Sequence, residues 1–347
     1  MRTTSTATRL TARCNRASGL ETCGRGFASG HVCNSPGFFD LDYALLFTQT
    51  LNGLQLGLLL FLVASGLSLV FGILDFVNLA HGSLYMLGAF ICASLTFLLG
   101  NFLWAVLLAL PLTGVIGYVV ERTIARALYT RDHLDQVLGT FGLILVIDTL
   151  THLIWGPEGI AIPLPAWLDS QVTLAEGLVV PTYRLLIIST GLAAAGGLFW
   201  LVNYTRLGML IRAGASNRTM VSALGIDIQT LFALVFALGA MLAGLAGMLV
   251  SPITEASIGM GNNIIITAFV VIIVGGIGSM KGAFVGALVI GLIDTLGRSF
   301  IDDFFKLFMS SDAAETSAPA VSAMLIYIIM AAILAVRPQG LFPPKVR

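Results

Sequence analysis

The chain has 347 residues, of which 57% are hydrophobic and only 10% charged, against about 25% charged in ordinary soluble domains. With a mean hydropathy of +0.95 it carries more apolar surface than a water-facing exterior can hide, so the solvent for most of it is lipid. Eighteen Lys and Arg balance 18 Asp and Glu, which leaves no electrostatic footprint for nucleic acid or for a strongly anionic substrate.

Residues 1–38 differ from the rest. Arg, Thr, Ser and Gly dominate, Glu21 is the only acid, and the apolar content is too thin for a signal-peptide core. We read this stretch as a disordered or processed extension outside the fold. Cys14, Cys23 and Cys33 contain no CxxC pair; a structural disulfide among them stays open.

From residue 45 onward the chain is built of apolar runs near 20 residues, the length a helix needs to cross about 30 Å of hydrocarbon. Spans are read at 46–71, 76–99, 102–120, 136–155, 184–203, 228–251, 263–280, 283–301 and 319–336. Period-2 alternation is missing, so a closed barrel is excluded. The sequence predicts an all-α polytopic membrane protein with eight or nine transmembrane helices, some broken or re-entrant. Its membrane domain is 39–342, followed by a short tail, 343–347.

Loops rich in Lys and Arg stay in the cytoplasm. Arg122, Arg126 and Arg131 follow the third span, Arg206, Arg212 and Arg218 the fifth, and Arg337, Lys345 and Arg347 the last. The alternate connections carry Glu158, Asp169 and Glu176, then Glu255, then Asp302, Asp303, Asp312 and Glu315. The C-terminus is therefore expected inside and the N-terminus outside, with Asp40 and Asp42 beside the first span. Trp104, Trp155 and Trp167 suit the outer interface and Trp200 the inner one.

Enzyme chemistry is hard to find. No GxxxxGK[ST] phosphate loop, GxSxG elbow or HExxH zinc helix occurs. Gly276 and Gly278 with Lys281 imitate a nucleotide loop, but they follow a membrane-length apolar run. They read better as a break between membrane segments, at whose cytoplasmic side Lys281 snorkels to water. Gly278, Gly282 and Gly286 recur every fourth residue, a stripe along which another helix can approach. The pair Gly82-Ser83 and Gly88-Ala89 loosely echoes Gly278-Ser279 and Gly282-Ala283, too briefly to count as a repeat.

Ionisable groups inside a bilayer are functional candidates by default. Asp148 with His152, and Asp294 with Arg298, are four apart on one helix face and can neutralise each other. The stretch LDFVNLAHGS interrupts the first two spans. Asn78 or Asp75 there can cap the next helix while His81 satisfies a carbonyl; equally, a half-helix starting inside the bilayer offers unpaired amides to a carboxylate. The segment 206–228 mixes Met209, Leu210, Met220, Leu224 and Ile226 with Arg212, Asn217 and Arg218, as a short amphipathic helix stopped at Gly225 does. Such a face suits docking into the groove of another subunit.

Four stretches together resemble the membrane permease of branched-chain amino acid ABC importers. They are LNGLQLGLLLFLVASGLSLVFGILDFVNLAHGSLYMLGAF, IRAGASNRTMVSALGID, GMGNNIIITAFVVIIVGGIGSMKGAFVGALVIGLID and VRPQGLF. The resemblance runs from Leu51 to Phe342 and says nothing of the N-terminal extension. It implies a bacterial inner-membrane importer with a second related permease chain, two cytoplasmic ABC ATPases and an extracytoplasmic binding protein. ATP and magnesium would sit on the ATPases, and no cofactor on this chain. It further implies that 212–227 is the ATPase-coupling segment, with Arg212, Ala213, Asn217, Leu224 and Gly225 as its candidates. For the translocation pathway the candidates are Asn52, Asn78, His81, Gly82, Gly275, Gly276 and Gly278. A urea or short-amide permease is the near alternative, and an ion-coupled secondary transporter the distant one. Substrate choice would rest largely with the binding protein, and a neutral apolar pathway argues only against strongly charged solutes.

Overall fold

A computed structural model describes residues 43–342 apart from 176–177, 307 and 309. The N-terminal extension with its cysteines, Asp40, Asp42, Glu176, and the tail with Lys345 and Arg347 lie outside the described residues.

The long helices are α1 (Tyr43–Leu74), α2 (His81–Leu99), α3 (Phe102–Val120), α5 (His133–Trp155), α6 (Thr182–Tyr204), α9 (Ile228–Thr254), α11 (Met280–Lys306) and α12 (Ser311–Val336). Among the described residues these eight contain apolar stretches long enough to cross a membrane. A π-helical turn (Glu121–Ala125) and the short α4 (Arg126–Leu128) prolong α3 without a break. The apolar α10 (Met260–Gly275), at 16 residues, is shorter than a full crossing needs. Between α5 and α6 lies a small antiparallel hairpin, β1 (Gln171–Ala175) with β2 (Leu178–Pro181), which the hydropathy pattern does not anticipate.

Lipid supplies no hydrophobic drive between helices, so close backbone approach has to hold the bundle, and glycine permits it. Helix α1 is the axis: 83% of its apolar window is buried within the chain, against 12% for α12. It packs along α11, α9, α6 and α10, with Gly57 against Gly291 and Gly66 against Gly239. Gly88 meets Gly244 between α2 and α9. Gly282 and Gly286 both lie against α10, as the four-residue stripe predicts. Gly278 does not belong to that stripe: it precedes α11, adopts φ +78°, and touches Gly72 of α1.

The VRPQGLF ending has a local task. The amides of Leu341 and Phe342 donate to the carbonyls of Val274 and Gly275 at 2.9 Å each, capping the end of α10, where carbonyls lack intrahelical partners. Gly340 sits at φ +82° with Gly276 in the space of a Cβ. Gly340→Val therefore incurs both left-handed backbone strain and a backbone clash, and the expected loss is about 2–3 kcal/mol, read as a lowered Tm of the detergent-solubilised protein. An unchanged Tm would show that the ending does not hold α10.

Candidate functional site

Two interruptions of similar form meet inside the bundle. In the first, α1 ends at Leu74 and Asp75 turns the chain at φ +53°. A largely buried segment, 76–80, then leads into α2. In the second, α9 ends at Thr254, Glu255 turns it at φ +64°, and 255–259 leads into α10. Asp75 and Glu255 are the only non-glycine residues with positive φ among those described, and such strain persists only where the surroundings impose it. The structural counterpart of 75–82 is thus 255–261, not the Gly278-Ser279 stretch of the sequence echo.

Irregular backbone at membrane depth must find hydrogen bonds within the protein. The Val77 amide donates to Gln136 Oε1 (3.1 Å) and the Leu79 amide to Thr140 Oγ1 (3.4 Å), one turn apart on α5. In the second interruption Ile160 and Ala256 exchange backbone bonds of 2.8 and 2.9 Å. The two helix starts then touch, because Gly82 and Gly261 each occupy the space where the other would carry a Cβ.

His81 is buried beside this junction, with Nε2 3.2 Å from the Val63 carbonyl oxygen in the body of α1. The start of α2 is therefore level with the middle of α1, eleven residues short of its end. Helix α2 starts five residues later than the sequence-read span 76–99, since its N-cap is Ala80 without a side-chain cap. Asn78 does not cap it. The Asn78 side chain is 1% exposed and neither amide atom has a hydrogen-bond partner; the Ser68 and Ser83 hydroxyls are likewise buried and unpartnered.

The remaining pathway candidates lie elsewhere. Asn52 accepts from the Arg184 guanidinium and donates to Gln49 Oε1 (3.1 Å), so its amide is engaged between α1 and α6. Gly275, Gly276 and Gly278 form the turn between α10 and α11, with Gly276 at φ +106°. Asp294 pairs with Arg298 at 2.9 Å as the four-residue spacing predicts. Asp148 makes no such pair with His152 and instead accepts from Asn262 Nδ2 (3.4 Å), at the start of α10.

The segment 206–228 is two helices rather than one, α7 (Arg206–Ser216) and α8 (Arg218–Ala223), broken at Asn217. Asn217 caps α8 by accepting from the Met220 amide (2.9 Å), and Gly225 ends it at φ +82°. Arg212 donates to the Val202 carbonyl, while Ala213 is half-buried. Met209, Met220 and Leu224 are 57%, 59% and 73% exposed, an apolar surface without a partner in this chain. Asp227 closes the segment as N-cap of α9. Hydrogen bonds from the Thr230 hydroxyl and amide hold its carboxyl below the usual range.

A polar network joins that cap to the first interruption, and sequence reasoning missed it. Gln229 Oε1 accepts from Arg126 Nη1 (3.0 Å), Arg126 Nη2 meets Glu121 Oε2 (3.4 Å), and the Tyr129 hydroxyl donates to Glu121 Oε1 (3.3 Å). Burial, then the Glu121 carboxylate, push the Tyr129 hydroxyl above its ordinary pKa, which keeps it a donor. The Tyr129 ring stands edge-to-face on Phe76 (5.2 Å) and on Phe232 (5.8 Å). Glu121 is fully buried on the π-helical turn, a distortion common at functional sites. The available signal was an acid inside an apolar run, masked by the arginines after it.

This architecture has known relatives. Residues 49–334 match the family described as branched-chain amino acid transport system, permease component. The chain belongs to this permease family. The high-affinity branched-chain amino acid transport system permease protein BraD of Pseudomonas aeruginosa is 31% identical over 270 residues, 74% of this chain and 88% of that protein. LivH of Escherichia coli, of the same description, is 28% identical over 277 residues with the same shares. The probable LivH of Methanocaldococcus jannaschii is 26% identical over 294 residues, 82% of this chain and 88% of that protein. No solved structure matches. As a permease component the chain is a transport subunit of an ABC importer, not an enzyme, and ATP hydrolysis belongs to separate subunits. Among the described residues no His, Cys, Asp and Glu cluster could hold a metal.

Proposed function

We propose that this permease carries branched-chain amino acids inward across a bacterial inner membrane. It pairs with a second related permease chain, is powered by two cytoplasmic ATPases that hold the ATP and magnesium, and receives solute from an extracytoplasmic binding protein. The arginine-bearing ends and the C-terminus face the cytoplasm, and the Glu255 loop faces out. The observation that carries the reading is the hydrogen-bonded and aromatic path from the Asp227 cap to Phe76, beside the junction where α2 and α10 begin. A push on 206–228 by the closing ATPases reaches α9 and α3 together through Gln229, Arg126 and Glu121. The ring of Tyr129 then passes it to the segment that holds Asn78, His81 and Gly82. Packed elements with two discrete arrangements convert such small shifts into alternating access.

The direct test is uptake of labelled leucine into proteoliposomes containing both permeases and the ATPases, with the binding protein supplied on the extracytoplasmic face and ATP on the ATPase face. ATP-dependent accumulation competed by isoleucine and valine is expected. Competition by urea alone would reassign the substrate, and uptake driven by a proton gradient without ATPases would overturn the importer. The exposed apolar surface of α7 and α8 makes a second expectation. Replacing Met209, Met220 and Leu224 together by Ser removes apolar contact area of about 0.1 kcal/mol for every 4 Å². ATPase co-purification is then expected to fall at least tenfold while the chain remains inserted. Undiminished co-purification would exclude this face from the coupling interface.

A further inference from the structure

Polar groups without partners gather at the second interruption. A cavity of about 480 Å³ lies between α2, the 254–259 turn and the first two turns of α10, within the roughly 300–1,000 Å³ usual for small-molecule sites. Tyr85, Thr254, Ser257, Asn263 and Thr267 line it. The Tyr85 side chain is only 5% exposed. Its hydroxyl, the Ser257 and Thr267 hydroxyls and the Asn263 amide make no hydrogen bond within the described chain, although neighbouring side chains such as Tyr183, Ser251 and Asn262 do. Of the four only Tyr85 is buried, Ser257 and Thr267 being half-buried and Asn263 exposed at the mouth, and a buried hydroxyl is rarely left without a partner.

The lining contains no Asp, Glu, Lys, Arg or His, and Ile258, Met260 and Ile264 form its apolar part. Complementary partial charges come instead from the backbone and from neutral side chains. At the α10 N-terminus, entered through Gly259 at φ +87°, the Met260 and Asn262 amides donate to the Ser257 and Gly259 carbonyls, while the Gly261 and Asn263 amides have no backbone acceptor; with the positive end of the helix dipole these suit a carboxylate. The side-chain oxygens of Asn263 and Thr267, one turn apart, are acceptors for an ammonium group.

We infer that this cavity is a binding station for a zwitterionic aliphatic α-amino acid within the permease. Its carboxylate faces the start of α10, its ammonium Asn263 and Thr267, and its side chain Ile258 and Ile264, with Tyr85 closing the inner wall. The inference rests on the importer reading and adds a solute contact made by the permease itself. The absence of a charged residue also gives it selectivity: a lysine or glutamate side chain would be desolvated there without a counter-charge.

The test uses the complete reconstituted importer carrying Asn263→Cys or Thr267→Cys, treated with a membrane-impermeant thiol reagent. Leucine at saturating concentration is expected to slow labelling at least fivefold and lysine to leave it unchanged. Tyr85→Phe and Thr267→Val are each expected to reduce leucine uptake about tenfold, the effect of one hydrogen bond to a charged or developing polar partner. If labelling ignores leucine while the unmodified importer accumulates it, the station is overturned and the importer stands. Equal protection by lysine overturns the neutral-solute chemistry, and failure of the unmodified complex to transport any amino acid overturns the reading beneath both.

Discussion

Gly82→Ala is expected to abolish uptake by the assembled importer and to lower the Tm of the isolated permease, and Gly261→Ala to do the same. Each substitution adds one methyl group, but at Gly82 it meets the Gly261 carbonyl, and at Gly261 the Gly82 carbonyl. Both obstacles are backbone, so neither can rotate away as a side chain would. Overpacking of this kind costs about 1–3 kcal/mol. The helix starts also carry segments fixed elsewhere, at Gln136, Thr140 and Ile160, so separating them strains both interruptions together. Gly142→Ala is the control, because a Cβ there has no neighbour within 4 Å, and the better helix former gains up to about 1 kcal/mol. Full uptake by Gly82→Ala alongside a normal Tm would rule out the junction as a closely packed element of the transport path.

Glu121→Ala carries the second large effect. It leaves the Tyr129 hydroxyl and part of the Arg126 guanidinium without their acceptor. Removing one partner of a buried pair costs about 3–5 kcal/mol. Arg126 retains 26% of its side-chain exposure, so water recovers part of this and about 2–3 kcal/mol is expected. Glu121→Gln separates the roles, since it keeps the shape and an acceptor but weakens the hold on Arg126. If the network transmits motion, Glu121→Gln hydrolyses ATP at the normal basal rate but loses most of the stimulation by loaded binding protein, and uptake per ATP drops. A proportional fall in uptake and hydrolysis would assign the network to folding alone. A double-mutant cycle of Glu121→Gln with Gln229→Ala measures whether the two ends are coupled, which pairs sharing one hydrogen-bonded partner are expected to be.

How much of this could be read in advance varies from residue to residue. LDFVNLAHGS stands out in the sequence because a bilayer makes polar residues costly, and the structure gives each a position: Asp75 the turn, Asn78 a buried amide without a partner, His81 a contact with α1. Its counterpart at 255–259 was invisible, because EASIG resembles any short loop and nothing in its composition says that it turns inward. The glycine stripe of α11 was legible at Gly282 and Gly286 but misassigned Gly278, whose neighbour across the turn is 206 residues earlier in the chain. Asp294 and Arg298 were paired correctly since their partners are local; Asp148 was paired wrongly because its acceptor role is filled from α10, 114 residues away.

The sequence by itself determined the solvent, the presence of most of the crossing helices and the alternation of charge between their ends, because these follow from composition and local period; the family resemblance rested on four particular stretches. Only the tertiary structure decided that two helices begin partway along the bundle and meet, that a buried glutamate ties the Asp227 cap to the first interruption, and that four unpartnered polar groups share one cavity. Those facts depend on which distant segments lie within hydrogen-bonding or van der Waals distance. Local propensity carries no record of such neighbours, since inside a membrane it is close backbone approach, not hydropathy, that selects them.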